Sequence, residues 1–171
     1  FCIVVAGKLH IFKLKVRIFL QTSKNKLSFE SMKPFEILKS LSNNNHLLES
    51  ILDAKLGQYK KIYSAFLYLC NNDINLSNCT LDELEKIPGV GPKTSRFFLL
   101  HSRQVRLAIL DTHILKYLKQ LDINTPKSTP SDRKLYAKYE LLFLEQCDKL
   151  NMTPAEFDLH LWKSFAKKER V

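Results

Sequence analysis

Lys93 follows directly on Gly89, Gly91 and Pro92 in the segment IPGVGPKTS, residues 87–95. Asp111 comes 18 residues later, in LAILDTHILKYL. An amine and a carboxylate are the parts that covalent catalysis by a lysine needs. The neutral amine attacks an electrophilic carbon, and the carboxylate takes its proton and stabilises the positive charge that develops. Lys93 falls at the second position of a helix expected to start at Pro92. There the positive end of the helix dipole disfavours a cation and partial burial disfavours it further, so both effects favour the amine form. The competing reading is a lysine that only contacts phosphate. Asp111 stands where the next helix needs its N-cap, and one side chain can both cap and do chemistry.

Asp158 and Trp162 form a second constellation in AEFDLHLWKSFAKKERV. At i and i+4 they share a helix face, so an aromatic plate and an anionic acceptor can meet one flat ligand. The plain alternative makes the sole tryptophan a core anchor and Asp158 a solvated charge. Phe97, Phe98, Leu99 and Leu100 read as core. Arg96, Arg103 and Arg106 read as parts of a basic face. His10, His46, His101 and His160 have no metal-ligand spacing.

These residues must be positioned by helices. Four glycines in 171 residues, with repeated helix-start signals, predict an all-α protein of about eight short helices. Thr80-Leu-Asp-Glu83 is a capping box. Thr129-Pro130-Ser-Asp132 and Thr153-Pro154-Ala-Glu156 each set a cap before a proline at the first helical position. LSNCT, INTPKSTPS and SLSNNN are polar connectors. The stretch KLHIFKLKVRIFLQ alternates like a strand but also carries a helical face, and helix is expected. In LDELEKIPGVGPKTSRFFLL, a short helix, a glycine turn and a second helix make a helix-hairpin-helix. Its free N–H groups form an anion site suited to a DNA phosphate.

The bulk composition limits the partners. Lys and Arg number 27 against 17 acidic residues, for a net charge of +10 spread along the chain, and an anionic polymer is the first partner expected. Cys2, Cys70, Cys79 and Cys147 contain no CxxC pair, so neither zinc nor a cysteine-ligated iron-sulfur cluster has its usual spacing. Reduced thiols in an intracellular compartment are expected. No apolar run approaches 18 residues, and no targeting signal is visible. FCIVVAG at the start reads as an interrupted helix, with the true N-terminus expected to be missing.

Through IPGVGPKTS…ILDTHI, over residues 80–121, the chain resembles the helix-hairpin-helix DNA glycosylase superfamily. The resemblance implies a compact two-lobed helical bundle without an iron-sulfur cluster. It also implies a single domain over residues 1–171, with a hairpin and catalytic segment at 80–121 and a base-pocket helix at 153–166. A lysine at the end of the hairpin implies the bifunctional kind, a glycosylase that also nicks the strand, with Lys93 and Asp111 catalytic. Gly89, Val90, Gly91, Thr94 and His113 are then expected to bind DNA. FCIVVAGK at the start and the Asp-Leu-x-Leu-Trp helix at the end are similar to the archaeal-type 8-oxoguanine DNA glycosylase/AP lyases. By that resemblance Trp162 stacks on the flipped base, Asp158 faces it, and the carboxylate of Val171 reads its edge. Guanine's Watson–Crick edge offers N–H donors that a carboxylate can accept.

The chain departs from this pattern at Gly7, Lys8 and Leu9, where the archaeal-type enzymes place an asparagine and an aromatic or small residue, and at Val171, where they end in lysine. The expected activity is removal of 8-oxoguanine from duplex DNA through a lysine Schiff base and β-elimination, by a monomer working with DNA inside the cell and needing no cofactor or catalytic metal. The same chemistry on an oxidised pyrimidine or another lesion, and a noncatalytic DNA-binding module, are the alternatives. A nuclease lacks the clustered carboxylates of a two-metal site.

Overall fold

The computed structural model describes residues 18–23 and 33–168, with side chains to residue 165. Every regular element among them is helical. Residues 18–23 are helical, and the rest of the KLHIFKLKVRIFLQ stretch, like FCIVVAG and Val171, lies outside the described residues. Eight helices follow: α1 (Pro34–Asn43), α2 (Leu47–Asp53), α3 (Tyr59–Asn71), α4 (Leu81–Glu85), α5 (Pro92–Arg103), α6 (Thr112–Gln120), α7 (Arg133–Lys149) and α8 (Pro154–Lys168).

The chain divides into two compact units, meeting in sequence at Val90 and Gly91. In the first, the apolar stripes of α1 to α3 close on one another. Ile37, Leu41, Leu47, Ile51 and Ile62 are each no more than 2% exposed, and Phe19 joins them. In the second, α6, α7 and α8 share a core of Leu110, Ile114, Leu118, Tyr136, Phe143, Cys147, Phe157 and Leu161.

The helix starts follow capping chemistry. The Thr80 hydroxyl accepts from the Glu83 amide at 3.2 Å while Glu83 accepts from the Thr80 amide at 2.7 Å. Thr153 and Glu156 repeat this box at the start of α8. The third expected start is corrected. α7 is capped by Asp132, whose Oδ1 accepts from the Leu135 amide at 2.7 Å. Thr129 instead donates its hydroxyl to the Leu110 carbonyl at 2.7 Å. That bond to Leu110, just before Asp111, occupies the Thr129 hydroxyl.

Between α4 and α5 the backbone turns through Gly89 at φ +80, in the left-handed region that glycine adopts without steric cost. A Cβ there would also collide with the methylenes of Lys61. Gly91 is the extended N-cap of α5 and Pro92 its first residue.

Candidate active site

The segment 108–110 leads into Asp111 and is buried throughout. It belongs to no helix, so its polar backbone needs partners from elsewhere. Side chains supply them. The Ala108 amide donates to Glu140 Oε1 at 2.9 Å. The Tyr136 hydroxyl donates to the Ala108 carbonyl at 3.0 Å and accepts from the Leu110 amide at 2.9 Å. Thr129 donates to the Leu110 carbonyl at 2.7 Å, and the Asp111 amide donates to the Ile109 carbonyl at 2.6 Å.

The same network ties in α5. Arg96 Nε donates to both Glu140 oxygens at 2.9 Å, and its guanidinium lies 4.3 Å over the Tyr136 ring. Burial of the Tyr136 phenol, opposed by its bond to Leu110 and by Arg96, pushes its pKa up well above 10, so the hydroxyl stays neutral and keeps its donor. Arg96 is 7% exposed and therefore no part of a basic surface, which corrects the expectation for it. Arg106 does lie at the surface, where it pairs with Asp148 at 2.7 Å.

Lys93 is the second residue of α5 and half-buried, one turn before Arg96. Asp111 is the N-cap of α6, its Oδ1 accepting from the His113 amide at 2.8 Å and the Ile114 amide at 3.0 Å. α8 packs on α6 through aromatic contacts: His113 stacks on Phe165 at 5.5 Å, and Tyr117 meets Phe157 edge-on at 5.0 Å. From α7, Phe143 stacks on Phe157 at 5.2 Å.

This packing brings Asp158 into the field of the other two groups. Burial above all, and then the Asp111 charge, push its carboxyl up to about 7 against the pull of Lys93. Among the described residues Asp158 makes no hydrogen bond that would favour its anion. Trp162, one turn along α8, is 47% exposed, so its ring is open to solvent and not a core anchor. Lys93, Asp111, Asp158 and Trp162 thus all belong to the second unit. Gly89 and Val90 belong to the first, with Val90 buried in it. Thr94 is half-buried beside Lys93. His113 keeps its ring against Phe165, with Nδ1 buried and without a hydrogen-bond partner among the described residues. Among the described residues no group of three or more His, Cys, Asp or Glu could hold a metal ion.

The sequence reading missed Tyr136 and Glu140. A signal for both was present: Tyr136, Tyr139, Glu140 and Phe143 recur at helical spacing, which puts a glutamate on an apolar face, where a charge needs a partner.

Comparison with known proteins adds a family. The profile of the helix-hairpin-helix family described as 8-oxoguanine DNA glycosylase matches residues 1–152. Among curated proteins, an 8-oxoguanine DNA glycosylase/AP lyase of Picrophilus torridus is 26% identical over 162 residues, 95% of this chain and 74% of the relative. The protein of the same name from Saccharolobus solfataricus is 26% identical over 129 residues, 74% of this chain and 61% of the relative. One from a Thermotoga species is 34% identical over 76 residues, 43% of this chain and 36% of the relative. No solved structure is a significant match.

Proposed function

The chain belongs to the 8-oxoguanine DNA glycosylase family of enzymes, and on that premise we propose that it excises 8-oxoguanine from duplex DNA and then nicks the strand by way of a Schiff base on Lys93. The observation that carries this reading is the set of charges in the second unit: an amine at a helix N-terminus, a carboxylate fixed as a helix cap, and a desolvated carboxyl one turn from a half-exposed tryptophan.

The damaged nucleotide leaves the duplex and its base lies against Trp162, with Asp158 facing it. The Lys93 amine attacks the sugar C1′ as the bond to the base breaks. Asp111, oriented by two backbone amides, stabilises the cationic sugar that develops. The sugar ring opens to the Schiff base, and loss of a C2′ proton expels the 3′ phosphate. Gly89, Val90, Gly91 and Thr94 at the hairpin and His113 at the start of α6 hold the DNA backbone, and the net charge of +10 favours that polyanion. The enzyme works as a monomer with DNA inside the cell. No described helix is long and apolar enough to cross a membrane.

The test is borohydride trapping on a duplex with one 8-oxoguanine opposite cytosine, beside an abasic duplex and an undamaged one. A covalent adduct on the first, lost in Lys93→Gln while DNA binding persists, is the expected result. Trapping on abasic DNA alone would transfer the chemistry to another lesion, such as an oxidised pyrimidine. No adduct on either, from folded protein that binds DNA, would leave a noncatalytic binding module.

A further inference from the structure

Gly89 is bare for a reason besides its left-handed backbone. A Cβ there would fall among Cγ, Cδ and Cε of Lys61, with Cε 2.6 Å away, so the methylene stem of the lysine lies over the turn in the space a side chain would take. Lys61 stands in the first turn of α3, and both residues belong to the first unit. The ammonium is one bond beyond Cε and is therefore carried beside Gly89.

The fold itself gives no reason for a charge at this place. Lys61 is half-buried, yet it makes no ion pair or hydrogen bond among the described residues. Holding a long side chain over the turn costs rotamer entropy, and the helix dipole opposes a cation in the first turn. No acidic residue in the first turn of α3 offsets it. The stem gains packing over the turn, but an apolar side chain would gain the same.

The turn under the stem also has a group without a partner. Gly89 is exposed, and its amide makes no hydrogen bond among the described residues, whereas the next amide, that of Val90, donates to the Ile87 carbonyl at 2.9 Å. An unpaired N–H donor and an unpaired ammonium at one turn suit a ligand that has negative charge and more than one acceptor oxygen, and a phosphodiester has both. Resting on the reading above, in which this hairpin holds the DNA backbone, we propose that Lys61 is a further DNA-gripping residue, whose ammonium pairs with the phosphodiester at the Gly89 turn. The lysine supplies charge and the amide supplies direction. Such a contact carries no base information, so Lys61 fixes where the strand lies and takes no part in choosing the lesion.

Lys61→Met keeps the methylene stem over Gly89 and removes the charge. Binding is read by fluorescence anisotropy on a duplex with one tetrahydrofuran abasic analogue, from about 50 to 200 mM KCl. At the lower salt Kd should rise roughly 10-fold. The slope of log Kd against log salt should fall by about 0.9, the share of one phosphate contact. Lys61→Arg should keep most of the affinity. Exchanging single phosphodiesters for uncharged methylphosphonates then locates the partner. At one position the wild type should lose as much as Lys61→Met loses, and the two changes together should cost no more than either alone. Wild-type affinity and slope in Lys61→Met, or losses that add at every phosphate, overturn the proposal and leave the lyase reading standing. Borohydride trapping on an abasic duplex separates the two: no adduct from the wild type, or one that survives Lys93→Gln, overturns that underlying reading, while the slope and the phosphate scan still decide on Lys61. If Lys61→Met does not fold, Lys61→Gln is measured in the same way and the same outcomes decide.

Discussion

Replacing Asp158 with asparagine tests the electrostatics of the site through stability alone, with no DNA present. The carboxyl rises from 3.8 to about 7 on folding, chiefly through burial. An acid whose folded value lies above its unfolded value binds more protons in the folded state between the two. Stability therefore falls as the pH rises from about 4 to about 7 and stays lower beyond. At about 1.4 kcal/mol for each tenfold change in proton affinity, the full effect is about 4 kcal/mol. Solvent reaching the half-buried side chain trims it to roughly 2–4 kcal/mol. Asparagine has nearly the same shape and never ionises. Asp158→Asn should match the wild type near pH 4 and exceed its unfolding free energy by about 2–4 kcal/mol near pH 8. Urea unfolding of both proteins, followed by helical circular dichroism at several pH values, measures the difference, and carboxyls elsewhere cancel in the subtraction. Curves that run parallel from about pH 4 to 9 would mean that Asp158 is solvated, and the reasoning would fail.

Two further outcomes follow from the scaffold. Arg96→Met leaves the Glu140 carboxylate buried without its ion-pair partner and should cost about 3–5 kcal/mol in urea unfolding. Adding Glu140→Gln, which keeps an acceptor for the Ala108 amide but removes the charge, should recover most of that loss. Gly89→Ala should destabilise by about 1–2 kcal/mol from the left-handed backbone alone. The collision with Lys61 adds to this, so Lys61→Ala in the same chain should relieve only part of the loss, again read by urea unfolding.

The helices were largely legible because their signals are local. Thr80 with Glu83, and Thr153 with Glu156, cap within three residues, and the sequence shows both partners of each box. Thr129 misled because Thr-Pro-Ser-Asp offers two caps to one helix. The choice went to Asp132 through a bond from Thr129 to Leu110, 19 residues away, which no local pattern contains. Arg96 misled for a related reason. An arginine in a basic chain reads as surface until Glu140, 44 residues on, is seen to lie on an apolar helix face. Lys93, Asp111, Asp158 and Trp162 could be picked out because each has an unusual type at a helix end or an i, i+4 spacing. The burial of Asp158 was not visible, because it depends on how α8 packs on α6.

The setting of Asp111 bears on why the Arg96–Glu140–Tyr136 cluster is polar at all. Replacing a buried ion pair with apolar side chains of similar volume is often neutral or stabilising, so stability alone is a weak reason for the cluster. The strap at 108–110 supplies a stronger one. It lies outside the helices where it leads into Asp111 at the cap of α6, and its buried backbone presents amides and carbonyls that an apolar core would leave unsatisfied. Glu140 and Tyr136 satisfy them, and Arg96 then neutralises the buried glutamate from the same helix that carries Lys93. One network therefore fixes the cap carboxylate and the lysine's helix to the same frame. Asp158 lies outside that network and makes no hydrogen bond among the described residues.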